Sequence, residues 1–293
     1  MVADLVCRKW RELGENPKLW TFLKLKIDRT GELSILNIRR LQYLREIIVD
    51  WWKVKELEEL FLALGKLSNL RKITIQHCIN TYYLDKVYSV LTKEQLHILF
   101  GIFSGATKLK HLVMPGTCLS YLDPAYLGRT FNNIEEINIS SCLLNTLQAE
   151  TIMSHITVSS KLKHLNISYN KLTDVDPTIL ATAVRELASI DLGNTGLTTL
   201  QIETLFKALN EESNLKWLNK ESNDLSMVDQ NLLANTICRL EVVNLKRTHI
   251  TIHQLSSIFT LVTRTGIVRT IMLDKDLVMQ VDPHIIEHST FIF

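Results

Sequence analysis

Ten times along this chain an eleven-residue phrase returns, most cleanly as Leu162-Lys163-His164-Leu165-Asn166-Ile167-Ser168-Tyr169-Asn170-Lys171-Leu172. Its apolar residues fall at positions 1, 4, 6 and 11, with Asn at position 9. The pair at positions 4 and 6 has the period of a strand, so both residues face one side. Position 9 calls for a small side chain able to bond neighbouring backbone. The phrases start at Trp20, Leu44, Leu70, Leu109, Ile134, Leu162, Leu187, Leu215, Leu240 and Val268, and from Leu109 the intervals alternate between 25 and 28 residues. Two repeats therefore make a 53-residue period. Position 15 keeps the same period independently, with Asp123, Asp176, Asp229 and Asp282 in short repeats and Gln95, Gln148, Gln201 and Gln254 in long ones.

These positions have local roles. Asp123-Pro124, Asp176-Pro177 and Asp282-Pro283 read as a helix cap followed by proline at the first helical position. Thr92/Gln95, Thr198/Gln201 and Thr251/Gln254 have capping-box spacing. Each repeat is thus expected to be a short strand, a turn and a capped helix, as over residues 203–209. Such a unit cannot bury its apolar face alone, whereas a stack can. Helices are about 10 Å wide and strands are spaced about 4.8 Å, so the stack is expected to curve with its strands inside.

The 46% apolar content supplies a core, and a net charge of +2 gives no strong steering towards nucleic acid. No run of eighteen apolar residues suggests a membrane span, and the early charges of the N-terminus do not read as a signal peptide. Cys7, Cys78, Cys118, Cys142 and Cys238 are odd in number and never closely spaced. A disulfide framework or zinc site is not expected, and a reducing cytoplasmic or nuclear setting is.

The phrase matches the pattern LxxLxLxxN/CxL and resembles the leucine-rich repeat. The alternating lengths resemble the ribonuclease-inhibitor class, and Cys78, Cys142, Thr195 and Thr248 at position 9 suit repeats attached to F-boxes. The resemblance implies an α/β horseshoe over residues 20–293, with parallel strands on a concave face and helices outside. Residues 1–19 resemble the last helix and tail of an F-box through Val6, Cys7, Trp10, Leu13 and Pro17, with Leu19 and Trp20 following. The family's opening Leu-Pro turn and first two helices have no counterpart here, and an amphipathic capping helix is the other reading of the stretch. The resemblance implies substrate recognition in a Skp–cullin ubiquitin ligase, with Val6, Trp10 and Leu13 facing the Skp adaptor. The alternative is a leucine-rich-repeat interaction or regulatory protein with no ubiquitin role.

Three irregularities stand out. The Leu70 repeat carries eleven extra residues near 79–89, including Tyr82, Tyr83 and Tyr88, which suit either a contact loop or local packing. Lys220 occupies position 6, an apolar position elsewhere, so its stem is expected to snorkel outward or its strand to be displaced. His284-Ile285-Ile286-Glu287-His288 matches HxxEH but sits in a helix slot with packing roles of its own. Phosphate-loop, dinucleotide and nucleophile-elbow motifs are absent; neither catalysis nor a cofactor is expected.

Recognition is expected instead on the outward positions 2, 3, 5, 7 and 8. Position 5 gives a file of Asn138, Asn166, Asp191, Asn219 and Asn244, which serves either the scaffold or a partner. The larger outward residues are Trp51, Arg71, Lys72, His77 and His111 in the N-terminal half, and His164, Tyr169, Trp217, Lys246 and Arg247 in the C-terminal half. Aromatic residues beside basic groups are the usual composition of a protein-binding patch. Tyr169 and Trp217 fall two repeats apart, about 10 Å across a sheet. The sequons Asn138-Ile139-Ser140 and Asn166-Ile167-Ser168 are expected to stay unmodified.

Overall fold

Every one of the ten phrases becomes a strand. The computed structural model describes residues 21–26, 43–50, 64–76, 91–131, 133–280 and 291–292, divided between two units, residues 1–143 and 144–293. In the first unit β1 (Phe22–Lys26), β2 (Glu46–Asp50), β3 (Lys72–Gln76), β4 (His111–Val113) and β5 (Glu136–Asn138) pair in parallel in sequence order. Helices α1 (Lys93–Gly105) and α2 (Pro124–Phe131) provide the β3–β4 and β4–β5 crossovers that parallel pairing demands.

The second unit holds β6 (His164–Asn166), β7 (Ser189–Asp191), β8 (Trp217–Asn219), β9 (Val242–Asn244) and β10 (Thr270–Met272), again parallel and in order. Helix α3 (Thr146–Ser154) precedes β6, α4 (Pro177–Glu186), α5 (Thr199–Ala208), α6 (Gln230–Ile237) and α7 (Ile252–Thr265) run between successive strands, and α8 (Lys275–Val278) follows β10. Residues Phe291–Ile292 add β11, parallel to β10, which the phrase pattern did not announce. The architecture is an α/β leucine-rich-repeat solenoid.

The core follows the phrase. Leu162, Leu165, Ile167 and Leu172 are all buried, and so are Leu109, Leu112 and Met114 in the first unit. Each such side chain contributes about 1.5–3 kcal/mol on leaving water. The strand faces alternate, intermediate–buried–intermediate in β4, β5, β7, β8 and β10, so one face closes on the helices and the other meets solvent.

The two repeat lengths produce two turns. Position 8 is left-handed in the six repeats from Leu109 to Leu240: Gly116, Ser141, Tyr169, Asn194, Ser222 and Arg247 have φ between 52° and 72°. Position 10 is left-handed only in long repeats, at Leu143, Gly196 and His249. The long turn leads at once into a capping box, Asn145/Gln148, Thr198/Gln201 or Thr251/Gln254. The short turn runs three residues further, to Asp176 and Asp229, whose carboxylates accept from the first backbone amides of α4 and α6. In the last repeat α8 starts directly after the strand, and Asp274 accepts the Arg247 N–H at 2.8 Å instead of bonding within its own helix.

Candidate functional site

The solvent face of the sheet is built first by its position-5 file. Asn138 Oδ1 accepts the backbone N–H and hydroxyl of Ser140, and Asn166 Oδ1 accepts those of Ser168. Asp191, Asn219 and Asn244 take the N–H groups of Gly193, Glu221 and Lys246 at 2.9–3.1 Å. The file folds the chain out of each strand into its left-handed turn, which is a scaffold role. The same bonds hold both sequon side chains against their own serines.

Position 9 closes the turn from the buried side. Asn170 Nδ2 donates to the carbonyls of Ile167 and Ser168. Asn223 Nδ2 donates to those of Leu192, Lys220 and Glu221, while its Oδ1 accepts from Thr195 Oγ1 and Leu197 N. Cys142 Sγ donates to the Met114 and Ser140 carbonyls, and the Thr195 and Thr248 hydroxyls to those of Leu192 and Leu245.

The larger outward residues divide by unit. In the first, Arg71 is exposed, Lys72 half-buried, and His111 Nδ1 meets Glu136 Oε2 at 3.0 Å. In the second, His164 is exposed and its Nδ1 lies 2.7 Å from Ser189 Oγ on the neighbouring strand. Tyr169 is 56% exposed despite its left-handed backbone. Trp217 and Lys246 are half-buried, and the exposed Arg247 guanidinium stands 3.8 Å from Glu221. Val6, Trp10, Leu13, Trp51, His77, Tyr82, Tyr83, Tyr88, His284 and His288 lie outside the described residues.

Lys220 corrects the sequence expectation. Its stem does not snorkel, for the residue has 0% relative exposure and Nζ has no hydrogen-bond partner. Nor is its strand displaced: β8 pairs in register with β7 and β9, and Lys220 N donates to the Asn244 carbonyl at 2.9 Å. Burial alone pushes its pKa from 10.5 down to about 7.

Asp191, on the solvent face, is perturbed as well. Half-burial raises its carboxyl above the usual range; the Gly193 N–H and the Asn219 side chain oppose that, and Glu221 adds to it. The sequence singled out Asp191 only as one member of a file that serves either the scaffold or a partner. The signal passed over was its repeat: the outward residues Ala188, Ser189 and Gly193 are smaller than their counterparts Lys163, His164 and Ser168 on one side and Lys216, Trp217 and Glu221 on the other.

Among the described residues no group of three or more His, Cys, Asp or Glu is placed to hold a metal ion, and no helix is long and apolar enough to cross a membrane.

Residues 21–277 match the family described as the PRAME C-terminal domain. The chain belongs to that family. Within this PRAME-type domain the match runs from the first described residue, Thr21, to Leu277 in α8. Part of the chain is also similar to NACHT, LRR and PYD domains-containing protein 3. The cattle protein is 27% identical over 158 residues, 51% of this chain and 15% of that protein. The human one is 26% identical over 152 residues, 49% and 15% respectively. The chain thus spans about a seventh of those relatives' length. Among solved structures, the leucine-rich-repeat protein LegL7 of Legionella pneumophila superposes with a TM-score of 0.55 at 13% identity, over 89% of this chain and 84% of its own. A chain of the yeast Rad7–Elc1 complex gives 0.54 at 12% identity, over 87% and 69%. These likenesses concern the fold, which is a leucine-rich-repeat type used for protein binding.

Proposed function

We propose that this PRAME-type domain is a non-catalytic receptor that binds a partner protein on the solvent face of its sheet, in the cytoplasm or nucleus. The observation that carries the reading is Tyr169. The residue is 56% exposed on a backbone with φ of 57°, a conformation that glycine would adopt without strain. Trp217, two strands away, supplies the second aromatic group of the kind that dominates binding energy.

The test is to identify partners by cross-linking to the intact chain and to measure their affinity for variants. Tyr169→Ala and Trp217→Ala should weaken binding tenfold or more with the melting temperature held within a few degrees. Unchanged affinity in both variants would remove the face from the proposal.

A second reading makes this receptor the substrate subunit of a Skp–cullin ubiquitin ligase, delivering a target lysine to a charged conjugating enzyme by proximity. It is favoured by the F-box-like spacing of Val6, Cys7, Trp10 and Leu13. Similarity to a chain of the Rad7–Elc1 complex, where such a fold sits in a protein assembly, is compatible with it. Skp adaptor and cullin should co-purify with the intact chain and be lost on Trp10→Ala. Failure to recover them leaves the receptor reading standing without ubiquitin chemistry.

A further inference from the structure

The position-5 file contains one charge that its scaffold role does not require. Each member of the file offers one side-chain oxygen to a backbone N–H two residues ahead, and at Asn138, Asn166, Asn219 and Asn244 a neutral amide does this. In β7 the same bond, to Gly193, is made by Asp191. An amide there would fold the turn equally well and would avoid desolvating a carboxylate. Among the described residues no cation forms an ion pair with Asp191, although Lys216, Arg247, Arg269 and others in this unit are paired with carboxylates.

The surroundings of Asp191 form a valley. Cross-strand partners run His164, Ser189, Trp217 in one row and Asn166, Asp191, Asn219 in the next. The small side chains of Ala188 and Ser189 thus lie between two taller ridges about 9.6 Å apart, twice the strand spacing. Gly193 completes the floor, and a Cβ there would come within 3.1 Å of Asp191 Oδ1 and 3.3 Å of Asn219 Nδ2. Tyr169 stands beside that end, its N–H bonded to the Gly193 carbonyl. Glu221, from the far ridge, adds a second carboxylate to the same field.

A half-desolvated carboxylate at the bottom of a narrow trough, with an indole on one wall and a phenol at the end, is chemistry for a cation. A carboxylate supplies charge-assisted hydrogen bonds to an ammonium or guanidinium, and aromatic faces attract the same groups. We propose that the valley over β7 receives an extended segment of a partner protein and seats one of its Lys or Arg side chains on Asp191 beside Trp217. This rests on the receptor reading and names the partner's chemistry. Complementary charge decides the occupant: an acidic segment would set like charge against Asp191 and Glu221, and a wholly apolar one would leave the Asp191 carboxylate without a counter-charge.

The experiment pans a phage-displayed library of random peptides on the intact chain and measures synthetic versions of the enriched clones. Enriched peptides should share a Lys or Arg at one fixed position, and replacing it by citrulline or norleucine should weaken binding at least tenfold. Asp191→Asn should do the same with an unchanged melting temperature, because Asn already serves the turn in four other repeats; Glu221→Gln should give a smaller loss. Peptides that bind Asp191→Asn as tightly as the native chain overturn the valley proposal and leave the receptor reading intact. Clones without a basic residue overturn it in the same way. No enrichment on the folded chain counts against both.

Discussion

The Nε2 of Gln254 donates to the carbonyl oxygen of Val228 at 2.7 Å, tying the first turn of α7 to the loop that precedes α6. Gln201 makes the equivalent bonds to Leu172 and Val175 at 2.8 and 2.7 Å. Both glutamines are buried, and both return their Oε1 to the N-cap backbone N–H. One side chain therefore caps its own helix and satisfies two carbonyls of the repeat before it.

This reverses an ordinary preference. Glutamate is the commoner third residue of a capping box and favours a helix N-terminus, yet it cannot donate. Gln201→Glu should keep the cap and set a carboxylate against two buried carbonyl oxygens, costing about 2–4 kcal/mol. Urea unfolding followed by circular dichroism reads this directly; a neutral or stabilising result would deny the cross-repeat role.

Lys220 predicts the opposite sign of change. With its pKa lowered from 10.5 to about 7, the folded state binds fewer protons than the unfolded one between those values. Stability is then greatest above pH 10.5, falls as pH drops through the window, and levels out below about 7. Lys220→Met, of similar length and with no charge to bury, should stabilise the protein by about 2–4 kcal/mol at neutral pH. It should also remove the rise in stability of native protein from pH 7 to 9. Thermal melts across that range check both.

Asn223→Ala removes the acceptor of the Leu197 N–H and the donor to three carbonyls. It should cost about 2–3 kcal/mol, and the Leu197 amide, just ahead of α5, should lose hydrogen-exchange protection well before the amides within that helix.

Tyr169→Gly separates stability from binding. Glycine accepts the left-handed backbone without strain, so the variant should be as stable as native protein or up to about 1 kcal/mol more so. Partner affinity should fall as it does for Tyr169→Ala. A variant that is no less stable but cannot bind would mark the tyrosine as retained for contact.

Periodicity made the strands and caps legible because both depend on local residue types at fixed spacing. The ten phrases, the proline-started helices α2 and α4 and the three threonine capping boxes followed from it. The box at Asn145/Gln148 was passed over because Asn, not Thr, stands at the cap. What spacing could not show depends on neighbours in space. The glutamine bridges and the Asn223 network reach 26–31 residues along the chain. The burial of Lys220 contradicts its side-chain type, and a strand whose other core positions are apolar carries it inward regardless. In the outward face, the large residues were legible, whereas the valley is defined by small ones, which attract notice only when adjacent strands are set in register.

The two joint types also govern how such a chain changes length. Asn170 and Asn223 accept from Leu144 and Leu197 of the long repeat before them, whereas Gln201 and Gln254 reach the short repeat before them. Each joint thus needs a long half and a short half. Excising one repeat brings two like halves together, leaving amides and carbonyls without their partners. Excising 53 residues rejoins an unlike pair, a long half against a short one, as each joint requires. The smallest length by which this array can shorten without mismatching a joint is the pair.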